Sequence, residues 1–178
     1  MQVFLEESLK RLFSVQGTSS SRYHQQIFGL VSGSSYQKWL LKRVKNIALT
    51  SSCNVSAKVQ PELDPNTIYI SRCANLNPSP ADTAYWLSIL MHEARHLESH
   101  KGHWHHDICL DEFQEVLPCD SSPIGAFGIE KILAANIIKY CQNCSDDFKL
   151  QWQEVYADEQ VWKKLKPQAQ EDLLRDLP

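Results

Sequence analysis

No stretch of this sequence is long and apolar enough to span a bilayer. The strongest runs, Tyr85 to Met91 and Ile132 to Ile138, fall well short of the ~20 residues a membrane helix needs. Charge of one sign is also missing: 18 basic side chains face 21 acidic ones, the net charge is -3, and no basic face stands out. Nucleic acid is therefore not expected as the main partner. The chain has no internal repeat and no low-complexity linker, and 178 residues are too few for two domains of ordinary size. A single domain over residues 1–178 is the expectation. Such a domain buries on the order of 70% of its unfolded surface and folds without staples, so an abundance of cysteine or metal-binding side chains needs another explanation.

A basic segment followed by an apolar one, the mark of an export signal, is absent from Met1 to Gln16, which reads as an amphipathic helix carrying acids. Six cysteines nevertheless favour disulfides and an extracytoplasmic compartment, periplasmic or secreted, as for a processed form with an added start Met. Six reduced thiols in a cytoplasmic protein are the alternative. Of the fifteen complete pairings, neighbour pairing is expected, with Cys109 to Cys119 closing a short loop.

Hydrophobic spacing predicts helices over about Val3–Val15 and Ser35–Leu49. Ala57–Gln60 and Thr67–Ile70 read as two strands joined by the turn at Pro61–Asn66, the one convincing β region. Ser79-Pro80 and Asp82 then open a helix whose apolar face is Leu87, Leu90, Met91, Ala94 and Leu97, fading near His100 to Gly102. A polar loop is expected up to Ser121. Ser122-Pro123 opens a further helix through Ile138, Ser145 caps a long one to about Leu165, and Gln168–Leu177 forms a short last one. The fold class is α+β, mostly helical. Trp39, Trp86, Trp152 and Trp162 fall at core positions.

Six of the seven histidines lie between His92 and His106. Within that span His92-Glu93-Ala94-Arg95-His96 is a His-Glu-x-x-His motif, expected by chance only about 0.02 times in a chain of this composition. Four residues make roughly 400 degrees of helix, so both imidazoles leave the same side and can bind one Zn2+. Glu93 stands beside them, placed to act as general base on a zinc-bound water. Arg95 points off that stripe and is read as a structural partner of a carboxylate.

These residues resemble the motif of the zincin metallopeptidases. The expected layout resembles theirs too, with a small edge sheet ahead of the motif helix and a second helix behind it. More narrowly, the motif with Gly102-His103, Cys109, Cys119-Asp120 and Gly125-Ala126-Phe127-Gly128 resembles uncharacterised bacterial proteins predicted to be exported, over about Leu90 to Leu133. The resemblance implies a zinc-dependent hydrolase acting on a peptide or protein substrate. The longer metzincin pattern is not met, since Ser99 and Gly102 occupy its glycine and final histidine positions. The third ligand is open: His103, which follows the turn-forming Gly102, is the first choice, with Glu130, His105, His106, Asp107 and Asp120 as alternatives. His105, His106 and Tyr156 are candidates to stabilise an oxyanion. Two further readings are a non-catalytic zinc-binding or interaction protein on the same frame, and a metal-handling protein using His100 to His106.

Overall fold

The computed structural model describes residues 2–74, 79–98, 104–110 and 114–177. Three helices come first: α1 (Gln2–Phe13), α2 (Arg22–Phe28) and α3 (Gly33–Arg43). They lead into β1 (Asn46–Thr50), β2 (Ala57–Gln60) and β3 (Asp64–Ser71), a sheet of order β1-β3-β2 in which β1 runs parallel and β2 antiparallel to β3. After a 3-10 turn at Pro80–Asp82 comes α4 (Thr83–His96), then the antiparallel pair β4 (Asp107–Leu110) and β5 (Val116–Cys119). The chain ends with α5 (Ala126–Tyr140), α6 (Asp146–Ala157), α7 (Glu159–Lys163) and α8 (Pro167–Asp176). The class is α+β and mostly helical, with the small three-stranded sheet ahead of α4.

The start of α4 follows from local chemistry. The backbone N–H of Ser79 donates to the Asp82 carboxylate at 2.6 Å, and Pro80 supplies the fixed φ of a first turn. Its apolar side then buries Leu87, Leu90, Met91 and Ala94 against α5, α6 and α1, with β2 along its flank. α5 is buried almost all round, and it is the element on which the rest of the helical layer packs. A second apolar cluster of Phe127, Ile132, Val161, Leu165, Ala169 and Leu173 seats α7 and α8 on it.

Three sequence expectations are corrected. The helix expected over Ser35–Leu49 stops at Arg43, because Lys45 N–H donates to the Asn66 carbonyl and Ile47 enters parallel pairing with β3. The helix expected from Asp146 to Leu165 breaks at Asp158, whose carboxylate accepts from Gln160 N–H and starts α7. The polar loop expected before Ser121 contains β4 and β5. Neighbour pairing of the cysteines is found, as Cys53–Cys73, Cys109–Cys119 and Cys141–Cys144. Trp39, Trp86 and Trp152 are buried, and no helix among the described residues is long and apolar enough to cross a membrane.

Candidate metal centre

α4 presents His92 and His96 one turn apart, and the β4–β5 hairpin brings His106 to them. The three imidazoles offer ligand atoms lying within 4.8 Å of one another. His103, expected as the third ligand, lies outside the described residues, as does His100.

Each ring is tied at Nδ1. His92 Nδ1 donates to Glu130 Oε1 at 2.8 Å, His106 Nδ1 donates to Asp120 Oδ1 at 2.8 Å, and His96 Nδ1 donates to the Trp104 carbonyl. A carbonyl and two carboxylates can only accept, so Nδ1 carries a proton in all three rings, and in each neutral ring Nε2 keeps its lone pair. These Nε2 atoms point at one another, His96 lying 3.3 Å from His92 and 3.1 Å from His106. With no proton between them such contacts are repulsive, and a shared cation removes the repulsion. A tetrahedral ion with nitrogen ligands at 2.0–2.1 Å has edges of about 3.3 Å, close to the two separations from His96. The three rings form a site that can hold a metal ion, oriented by outer partners as metal-bound histidines are.

Those partners are fixed by packing. Glu130 is buried on α5 opposite His92, on the ring nitrogen away from the cluster, so it orients a ligand and does not serve as one. Asp120 holds His106 with one oxygen and accepts from Phe127 N–H with the other at 2.7 Å, satisfying the first turn of α5. Its backbone pairs with Lys164 and Lys166 at 2.8 and 2.9 Å. Gly125 leaves room for this carboxylate, because a Cβ would stand 2.3 Å from Asp120 Oδ2. Phe127 stacks on His106 with centroids 4.3 Å apart and meets His92 edge-on at 4.7 Å. Asp107, another ligand candidate, is turned away to Lys166 at 3.0 Å.

Arg95 has the structural role expected of it. It forms an ion pair with Glu98, donates to the Ile124 carbonyl at 2.9 Å and lies 4.1 Å over the Trp104 ring, which steadies the carbonyl that holds His96. Neither this carbonyl nor Phe127 was legible as a site group, since a backbone acceptor and a packed ring carry no motif.

The cluster opens on a cleft of about 600 Å³ bordered by Val55, Ala57, Val59, Tyr85, Ile89 and Phe127. Glu93 lies on its wall, and among the described residues nothing hydrogen-bonds its carboxylate. Burial raises the Glu93 pKa, opposed by the charges of His92 and His106 and assisted by Glu130. Burial works to lower that of His92, but the Glu130 hydrogen bond and the charges of Glu130, Glu93 and Asp120 prevail and the net direction is up. His96 is pushed down to about 3 by burial and by its two imidazole neighbours. His105 is exposed on the same cleft. Tyr156 is not on it: its ring packs on Trp162 and its carbonyl accepts from Lys131 and Trp162, which removes it as an oxyanion candidate. No protein-family model, curated protein or solved structure matches the chain.

Proposed function

We propose that this protein is a zinc-dependent metallopeptidase, with His92, His96 and His106 holding the metal and Glu93 as general base. The observation that carries the reading is the pairing of three Nδ1-anchored imidazoles, whose Nε2 atoms converge, with a carboxylate on the same cleft that has no hydrogen-bond partner among the described residues. Three nitrogen ligands suit zinc and leave a tetrahedral position open. Zinc held there supplies a Lewis acid that lowers the pKa of water to about 7 and polarises a carbonyl.

The chain's own groups do the remaining work. Glu93 accepts a proton from the attacking water on a carboxylate oxygen and returns it to the nitrogen of the leaving amine. Its burial raises its pKa, the direction that makes the carboxylate a stronger base. Val55 to Val59 border the cleft and β2 is an edge strand, so its unpaired backbone groups are offered to an extended peptide. The three disulfides fit a periplasmic or secreted setting.

The test is metal analysis joined to Glu93→Gln. The wild type should bind one zinc per chain and hydrolyse peptides, and the variant should keep the zinc and lose hydrolysis by at least ~10²-fold. Hydrolysis retained by Glu93→Gln would sink the mechanism. One zinc per chain without any hydrolysis would leave a zinc-binding interaction protein, and several metals per chain a metal-handling one.

A further inference from the structure

Besides Glu93, the proposed base, the cleft wall carries two carboxylates that have hydrogen-bond partners. The Glu130 carboxylate holds His92, and that of Asp158 accepts from Gln160 N–H. Two ammonium groups also line the cleft: Lys58 on the edge strand β2 and Lys164 at the end of α7. Among the described residues, neither has a carboxylate within ion-pair distance. Other lysines nearby are spoken for, since Lys166 pairs with Asp107 and the buried Lys131 donates to three carbonyls.

Lys164 is also held in place. Its carbonyl accepts from Asp120 N–H at 2.8 Å, and its ammonium lies 4.7 Å over the Phe127 ring, which stacks on His106. A half-buried lysine seated on an aromatic ring beside a metal-binding histidine is a preorganised cation, and a substrate carboxylate is the partner that would complete it. Lys58, on the strand that an extended peptide would lie along, adds a second positive group on the cleft wall.

We infer that the cleft selects acidic peptides, with Lys164 binding a carboxylate close to the bond to be cleaved and Lys58 adding positive charge on the same wall. The inference rests on the peptidase reading and names its substrate class. The carboxylate can come from an Asp or Glu side chain or from a free C-terminus.

The experiment uses the zinc-loaded full chain and matched peptides: Asp or Glu against Asn or Gln around the cleavage point, and a free C-terminus against its amide. The expected result is at least a ~10-fold higher kcat/KM for one carboxylate form, expressed mainly in KM. The arm that shows it identifies the source. Lys164→Met, with Lys58→Met added, should bring the acid-to-amide ratio toward one at an unchanged zinc stoichiometry, and Lys164→Arg should preserve it. Equal rates for acid and amide forms, or a preference surviving the double substitution, would overturn the inference. If the wild type cleaves nothing, the peptidase reading fails by itself and binding decides the rest. Calorimetry with an acidic decapeptide and its Gln counterpart should show acid-selective binding that the double variant loses, and no selectivity refutes it. An oligonucleotide bound as tightly as the acidic decapeptide would also overturn the assignment to peptides.

Discussion

His106 and Asp120 are hydrogen-bonded at 2.8 Å although fourteen positions separate them, because they stand at the open end of the same hairpin. Asp107 pairs with Cys119, so the residue before β4 and the residue after β5 are brought together, and Cys109–Cys119 fastens the two strands. The candidate metal centre thus draws two imidazoles from a rigid helix and the third from a stapled two-stranded ribbon.

That division predicts how the centre responds to reduction. Opening Cys109–Cys119 frees a ten-residue loop, a loss of roughly 2–3 kcal/mol in the chain-entropy model, and loosens the hairpin that presents His106. The Cys109→Ser/Cys119→Ser variant should bind zinc about 10–100-fold more weakly, with its helical circular dichroism intact. Competition with a chelator dye measures this. An unchanged zinc Kd would show that packing alone holds His106.

The orienting carboxylates make a sharper prediction. Asp120→Ala removes the acceptor that fixes the His106 tautomer, and Glu130→Ala does the same for His92, so each should weaken zinc binding by about 10–100-fold. Gly125→Ala should copy the Asp120 effect without touching an ionisable group, because the new methyl collides with Asp120 Oδ2. A Gly125→Ala protein with wild-type affinity would mean that the carboxylate can move and still hold the ring.

What was readable in advance follows the range of the interactions. Ser145 caps α6 by accepting from Phe148 N–H, and Ser79, Pro80 and Asp82 lead into α4. Each of these signals acts within three residues, and each was legible. His92, Glu93 and His96 share one helix, so their grouping was a matter of counting. His106 is placed by strand register, by Asp120 and by a disulfide, all of them contacts between distant residues, and nothing local distinguishes it from its histidine neighbours. Ile47 shows the same limit from the other side. Its spacing from Val44 suits a helix and its spacing from Leu49 suits a strand, and pairing with β3 decides between them.

Lys131 carries a prediction away from the cleft. It is fully buried on α5, and its three N–H donors go to the carbonyls of Val155, Tyr156 and Asp158 at 2.8, 2.9 and 2.7 Å. This side chain closes the C-terminus of α6, whose last carbonyls lack helical partners. Lys131→Met keeps much of the volume but strands those acceptors, and should cost about 3 kcal/mol in urea unfolding. A cost under about 1 kcal/mol would show that water replaces the ammonium.

His24, the histidine outside the cluster, sets a pH dependence of stability. It is fully buried, its Nδ1 donates to the Gly29 carbonyl at 3.0 Å, and its Nε2 therefore accepts from the Tyr36 hydroxyl at 2.9 Å. Both nitrogens are satisfied in the neutral ring, and burial pushes its pKa down to about 4, against 6.5 for a free imidazole. Between those values the unfolded chain binds a proton that the folded chain does not, so stability rises with pH across the window. The contribution of the neutral ring is complete above pH 6.5, and roughly 3 kcal/mol is lost as the pH falls toward 4. Near pH 5 the slope from this residue should be about 1.2 kcal/mol per pH unit. His24→Asn should be less stable than the wild type at pH 7 because it loses ring packing against Phe28, yet it should lack this slope, so the two curves converge on acidification. Urea unfolding of both proteins at pH 7, 6 and 5 makes the comparison, and parallel curves would show that His24 does not titrate in this range.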